Sequence, residues 1–211
     1  MKYDKQFLII GSQNNVTYKE IFPLLKDNKL WLGYKSGDMA FTVPDSYEAR
    51  ETRFWIDENG QKWRSMGNIC WFTNLDIKKR HEEFVLFRNY SADKYPRYDN
   101  YNAIEVSKVS EIPCDYTGTM GVPITFLDKY NPEQFEILGI NAGRDEFECR
   151  PTKRYVNPIQ HNPNGTVTNG SKANTRSTLL LASTPNTIYY TADNAEKPFT
   201  ITYARIFIRK R

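Results

Sequence analysis

The run Gly67-Asn68-Ile69-Cys70-Trp71-Phe72-Thr73-Asn74-Leu75-Asp76 sets two large aromatic rings beside a polar end and the basic cluster Lys78-Lys79-Arg80. It is β-prone and bounded by Gly67 on one side and charge on the other, which reads as a short buried strand. Alternation along such a strand sends Ile69, Trp71 and Thr73 to one face and Cys70 and Phe72 to the other. A strand that ends in Asn74 and a basic cluster can carry an aromatic ring at the lip of a polar cleft. The same rings also serve as plain core, because aromatics carry much of any core's burial. Both readings stand on these residues alone.

Other chemistry is sparse. Cys70, Cys114 and Cys149 are odd in number and far apart, which fits a reducing compartment. His81 and His161 are isolated, with no Cys-x-x-Cys or His-x-x-x-His spacing, so no metal site is expected. Charge is more informative. Net charge is +4, yet Arg150 to Arg211 holds ten basic residues against Asp193 and Glu196. That third carries +8, leaving −4 on the rest. The imbalance suggests an anionic partner, nucleic acid first among them, against the plainer reading of a solvated basic face. Within it, residues 140–178 crowd Asn141, Gly143, Asn157, Asn162, Asn164, Gly165, Asn169, Gly170 and Asn174 between Arg and Lys. A long polar stretch inside a compact protein is usually functional or disordered.

The elements that position these groups can be read in order. Phe7-Leu8-Ile9-Ile10-Gly11 is a continuous apolar run, expected as a central strand buried on both faces. Ser12 to Asn15 makes a polar loop, and Thr17 with Glu20 predicts a capping box for a helix over Tyr18–Lys26, with Pro23 a late start or kink. A strand, polar loop and helix are half of a βαβ unit, whose ligands bind at strand ends, here Gln13, Asn14 and Asn15, unless these only cap and turn. Leu30–Tyr34 and Met39–Val43 predict two strands around a turn at residues 35–38. Asp57-Glu58-Asn59-Gly60 predicts an Asn-Gly hairpin. Arg80–Arg88 reads as a strand or a short helix, and the alternation of Phe84 and Leu86 with Val85 and Phe87 favours the strand. Asn131-Pro132 with early acid and terminal Gly139 predicts a short helix. Thr178–Leu181, Thr187–Tyr190 and Thr200–Ile208 read as strands, the last closing the fold.

The 211 residues suit one domain or slightly more and can bury a core without staples. No run approaches the roughly 20 apolar residues that span a bilayer, and the start lacks a signal peptide. A cytoplasmic protein with no membrane partner is expected.

Several runs together resemble the EcoRI-type adenine-specific DNA methyltransferase family. They are Phe7–Gly11 with Thr17–Phe22, Lys29–Gly33, Gly67–Asp76, Tyr95–Tyr101, Met120–Asp128, Asn131–Gly139 and Tyr203–Ile206. The resemblance implies an α/β fold, the second half of a Rossmann-like methyltransferase sheet over residues 1–139. A mostly β or irregular, basic target-recognition region over residues 140–211 follows. It implies methyl transfer from S-adenosylmethionine to adenine N6 in double-stranded DNA, as in restriction-modification. The family's catalytic run Asn/Asp-Pro-Pro-Phe/Tyr is missing here: Asn131-Pro132, Asn157-Pro158 and Asn162-Pro163 lack the second Pro and aromatic. The Gly-containing cofactor loop is missing too. The expectation is therefore a DNA-binding and target-reading part, inactive without a separate N-terminal half and binding no cofactor alone. The alternatives are a stand-alone non-catalytic DNA-binding module or an inert remnant that self-associates. By resemblance, Phe72 or Trp71 stacks on an extruded base. Lys78, Lys79 and Arg80 meet phosphates. Arg144, Arg150, Lys153, Arg154, Lys172 and Arg176, with Asn169 and Asn174, are the DNA-contacting candidates of the recognition region, most of them on phosphate rather than bases.

Overall fold

The computed structural model describes residues 5–141 and 147–211. They form two compact units that divide between Arg80 and His81. Among the described residues the chain is β-rich, with strands throughout and one short α-helix. No described helix is long and apolar enough to cross a membrane.

The first unit holds β1 (Leu8–Ser12), α1 (Phe22–Lys26), β2 (Trp31–Thr42), β3 (Phe54–Ile56) and β4 (Lys62–Thr73). The sheet order is β1-β4-β2, with β3 also on β4, and every pairing is antiparallel. β1 and β2 therefore run parallel to each other, with β4 between them. The motif strand is the middle of this sheet: Cys70 pairs with Gly11 on one side and Ser36 on the other. Its expected alternation is visible in Cys70 and Phe72, buried, against Ile69 and Trp71, half-buried, but Thr73, expected on the face of Ile69 and Trp71, is buried too.

Several expectations are corrected here. Phe7–Ile10 does not become a central strand. β1 lies at the sheet edge, with Leu8 and Ile9 56% exposed and Ile10 43% exposed. Apolar continuity says what a strand is fit to bury, and among the described residues only β4 pairs with it. The helix expected from Tyr18 begins at Phe22, because Pro23 has no N–H to donate and fits only a first turn. No capping box forms; the Thr17 hydroxyl donates to the Asn14 carbonyl at 2.9 Å within a 3-10 turn over Gln13–Thr17. The strands expected on either side of residues 35–38 are one strand, β2, bulged there, with Gly37 at φ +90°. The Asn-Gly hairpin is as expected: Gly60 takes φ +80° and donates to the Asp57 carbonyl at 3.0 Å, joining β3 to β4.

The second unit adds β5 (Ile104–Glu105), β6 (Met120–Pro123), β7 (Phe135–Ile140), β8 (Ile159–His161), β9 (Val167–Asn169), β10 (Thr178–Leu180), β11 (Tyr189–Thr191), β12 (Phe199–Ile201) and β13 (Arg205–Lys210). Two sheets result, β5-β6-β13-β7 and β10-β12-β11-β8-β9. One core gathers Tyr98, Tyr101, Ala103, Leu138 and Phe207. The other stacks Tyr155 on Phe199, ring centres 4.1 Å apart, beside Tyr190 and Ala173.

Here too local signals yield to pairing. The helix expected over Asn131–Gly139 is one turn followed by β7. Asn131 Oδ1 accepts from Glu133 N at 2.8 Å, and its carbonyl accepts from Gln134 N and Phe135 N. Beyond that turn, Phe135 and Ile137 alternate and pair with β13, so tertiary context overrides propensity. Arg80–Arg88 forms no strand. The side-chain amide of Gln134 takes the partner's place, accepting from Phe84 N at 3.0 Å and donating to Phe84 O at 2.8 Å. The closing strand expected over Thr200–Ile208 breaks into β12 and β13 around Thr202–Ala204.

Beneath the break lies a polar joint. Asn141, fully buried, donates to Ser177 Oγ at 3.0 Å and to Thr202 Oγ1 and Tyr203 O at 3.3 Å. Its Oδ1 accepts from Arg205 N at 2.6 Å. Nearby, Glu105 is 3% exposed and takes a forked pair from Arg205, with Nη2 at 2.7 Å and Nε at 3.1 Å. The Tyr98 hydroxyl donates to the same carboxylate.

Cys149 packs against the Tyr98–Phe207 core, and burial pushes its thiol up to about 12. The thiolate is the attacking species, so at pH 8 iodoacetamide should alkylate Cys149 roughly 10³-fold more slowly than a free thiol of ordinary pKa. Peptide mapping over a time course reads this directly. Labelling at the rate of a free cysteine would contradict the burial.

Candidate nucleic-acid interface

In the first unit the motif rings have different surroundings. Phe72 is 6% exposed and lines an apolar cavity of about 500 Å³ with Phe7, Ile9, Ile10, Ile21 and Leu24. Its ring sits against Gly11, where a Cβ would come within 3.1 Å. Trp71, half-buried, packs over Gly33 on the opposite face, where a Cβ would meet its own at 2.9 Å. The basic cluster after the strand is partly spent inside the unit. Lys79 Nζ donates to the Gly33 and Tyr34 carbonyls at 3.2 and 3.1 Å. The Arg80 guanidinium lies 3.6 Å over the Trp31 ring and donates to Asn28 Oδ1 at 3.2 Å. Lys78 is exposed. Gln13 to Asn15 serve the turn: the Ser12 hydroxyl accepts from Asn14 N at 3.3 Å.

In the second unit the candidates divide the same way. Lys153 Nζ is 2.8 Å from Asp99 Oδ2, and that oxygen also accepts from the Tyr155 hydroxyl at 2.6 Å. Arg150 Nε donates to the Phe147 carbonyl at 3.3 Å. Asn174 holds Tyr155 by its backbone, Oδ1 to N at 2.8 Å and Nδ2 to O at 3.0 Å. Asn169 is exposed and its Oδ1 accepts from Ser171 N at 2.7 Å. Arg154 is exposed. Arg144 lies outside the described residues.

Two candidates come together. Lys172 and Arg176 line a cleft of about 670 Å³ with Gln160, Ile188, Tyr190 and Tyr203. A 3-10 turn over Ser171–Thr175 sets Lys172 on its outer side. Arg176 Nη1 donates to the Asn141 and Thr175 carbonyls at 3.1 Å, which fixes the guanidinium at the cleft wall. Sequence reasoning missed Tyr203, 88% exposed on the turn that Asn141 anchors. Taking residues 200–208 as one strand hid it; the β13 register, which begins only at Arg205, reveals it. A rigid turn that carries an exposed aromatic beside cations is chemically suited to flat, anionic partners. Among the described residues no three His, Cys, Asp or Glu side chains gather as a metal site.

A β-rich chain with a basic, aromatic cleft narrows the class, and comparison supplies it. The family described as "Adenine-specific methyltransferase EcoRI" matches residues 1–211, so the chain belongs to the EcoRI-type adenine-specific methyltransferases. It is similar to the type II methyltransferase M.EcoRI of Escherichia coli, 51% identical over 150 residues, 69% of this chain and 46% of that protein. It is also similar to M.MgeORF184P of Mycoplasma genitalium, 40% identical over 144 residues, 65% of this chain and 45% of the relative. M.MpnI of Mycoplasma pneumoniae is 39% identical over 143 residues, 65% of this chain and 44% of the relative. The matched part spans a little under half the length of these relatives. No solved structure matches.

Proposed function

We propose that this chain is the DNA-gripping and target-reading share of a cytoplasmic, S-adenosylmethionine-dependent adenine-N6 DNA methyltransferase of a restriction-modification system. Residues 140–211 do the reading, and an N-terminal half supplies the catalytic loop and the methyl-donor pocket. The observation that carries this is the edge of β1 that has no partner among the described residues. Leu8, Ile9 and Ile10 are apolar yet exposed, and a strand edge with no partner among the described residues is a template for another strand. β1 and β2 run parallel, are linked through α1, and have β4 inserted antiparallel between them. That is how one end of a larger mixed α/β sheet is built. The apolar cavity under β1 suits side chains that the proposed N-terminal half would supply.

Three cavities among the described residues do not fit S-adenosylmethionine. That group carries ribose hydroxyls and an ammonium, which call for carboxylate or carbonyl acceptors. The cavity under β1 offers only Lys5 and Asn15 among apolar residues. The Lys172–Tyr203 cleft has no carboxylate. A third hollow holds Glu111, but Lys108 stands 3.4 Å from it. The lone surplus charge, +8 from Arg150 to Arg211, supports the DNA-contacting role. Trp71 is the better base-stacking candidate of the motif pair, since Phe72 is enclosed.

The test mixes this chain with a separately produced N-terminal half of an M.EcoRI-like relative. A stable complex that labels DNA from radioactive methyl donor is expected, with neither half active alone. Labelling by this chain alone would overturn the division of roles. Failure to pair, with β1-dependent dimers of this chain instead, would favour the self-associating alternative. Duplex binding by this chain should weaken about 10²-fold from 50 to 200 mM salt if about four phosphates are contacted. An affinity indifferent to salt would remove the DNA role.

A further inference from the structure

We infer that the β8–β9 hairpin is the element that reads base edges in the DNA major groove, while the cations that bracket it in sequence only hold the backbone. The inference deepens the DNA-contacting role proposed above and rests on it.

Composition is the first observation. From Tyr155 to Ser171 there is no Asp, Glu, Lys or Arg across 17 residues, where the chain's 26% share of charge predicts about four. Pro163 to Asn169 are all exposed, and exposed surface is where charge normally concentrates. In charge's place stand the amides of Asn157, Gln160, Asn162, Asn164 and Asn169 and the hydroxyls of Thr166, Thr168 and Ser171. A carboxylate there would repel phosphates. A lysine there would bind them without regard to sequence. Neutral amides and hydroxyls bind phosphate oxygens as well, but they also carry the directional donors and acceptors that read base edges.

Geometry is the second. β9 is the outer edge of its sheet, and β8 pairs with β11 only as far as His161 opposite Tyr189. The tip beyond that pair is held by its own bonds. Asn162 N donates to Thr166 O at 2.9 Å, and Gly165 N to Asn162 O at 3.0 Å with Gly165 at φ +80°. The base closes through Gly170 N to Pro158 O at 2.9 Å. Arg154 and Lys172, both exposed, lie close to that base in sequence, one on either side. A neutral hairpin that is bracketed in sequence by two exposed cations suits a groove edged by phosphates, and the major groove admits a β-ribbon.

The third observation is which atoms the fold consumes. Asn164 Oδ1 accepts from Thr166 N at 3.1 Å and Thr166 Oγ1 at 2.7 Å. Asn169 Oδ1 accepts from Ser171 N at 2.7 Å. Both carbonyl oxygens are thus occupied, while neither Nδ2 has a partner among the described residues. Fixed amide donors suit the acceptors of guanine, adenine and thymine edges. Val167, 59% exposed, suits a thymine methyl and shares a sheet face with Asn169.

The experiment selects from duplex DNA of randomised sequence. Wild type should enrich a motif. The neutral triple variant Asn164→Ser, Val167→Thr, Asn169→Ser keeps an oxygen for each turn. It should hold unselected DNA within about twofold and lose tenfold or more on the selected motif. Asn169→Ser alone, with a circular dichroism spectrum matching wild type, gives the same direction at smaller size. Lys172→Ala should weaken every sequence together and leave the motif unchanged. A triple variant that enriches the same motif as strongly overturns the inference. So does a wild type that binds the pool without selecting, or an A-form RNA duplex that competes as well as DNA, since its major groove cannot admit the ribbon. A wild type that does not bind the pool at all fells the DNA-contacting role first, and the inference with it.

Discussion

Glu105→Ala should lower the unfolding free energy by about 3–5 kcal/mol, the usual cost of breaking a buried pair by removing one partner. Glu105 is 3% exposed and the Arg205 side chain 12% exposed, so the guanidinium left behind stays buried without its carboxylate. The Tyr98 hydroxyl loses its acceptor at the same time. The pair joins β5 to β13, with β6 running between them, so the loss falls on the sheet that positions the Tyr203 turn. Urea titration gives the number. A control separates burial from pairing: Glu105→Leu with Arg205→Met and Tyr98→Phe replaces the charges and the dependent hydroxyl by apolar groups and should recover most of the loss. A single variant within about 0.5 kcal/mol of wild type would show the pair to be solvated.

Phe72→Ala should cost about 3–5 kcal/mol, the range for removing a buried phenylalanine. Phe72 already borders the cavity under β1, so truncation joins a new void to an existing one and the walls have little to collapse onto. Trp71→Ala, on the half-buried face, should cost less. Thermal melts of the two variants side by side give the comparison. A stable Phe72→Ala protein that no longer binds duplex would return the stacking role to Phe72. An unstable one places the ring with Val16, Phe22, Leu25 and Cys70 in the enclosed interior of the first unit.

What was readable in the residues was local chemistry. Gly60 and the Asn-Gly turn were legible because φ beyond +20° favours glycine there. The β4 strand was legible because its alternation, Thr73 apart, matched what it buries on each face. The misses share a cause, which is pairing with residues far away in sequence. Nothing between Asn131 and Gly139 announces that β13, some 70 residues on, will claim Phe135 and Ile137. Nothing in Arg80–Arg88 announces that Gln134 will satisfy the backbone at Phe84. The basic candidates divide on the same line: charge and position nominated Lys79, Arg80 and Lys153, but only the fold shows carbonyls, a Trp31 ring and Asp99 taking them up. Lys172 and Arg176 were nominated by the same signal and do share a cleft. Tyr203 was hidden by its neighbours, whose β-branched and aromatic types read as unbroken strand.

The pairing of β1 has a consequence for synthesis. Its one described partner, β4, places Trp71 opposite Ile10, so the ribosome must add about sixty residues before the two can meet. At ordinary translation speeds of about 5–20 residues per second, Leu8, Ile9 and Ile10 wait roughly 3–12 s with nothing of their own to join. For that interval the nascent segment is open to chaperones, or to a strand already made and waiting nearby.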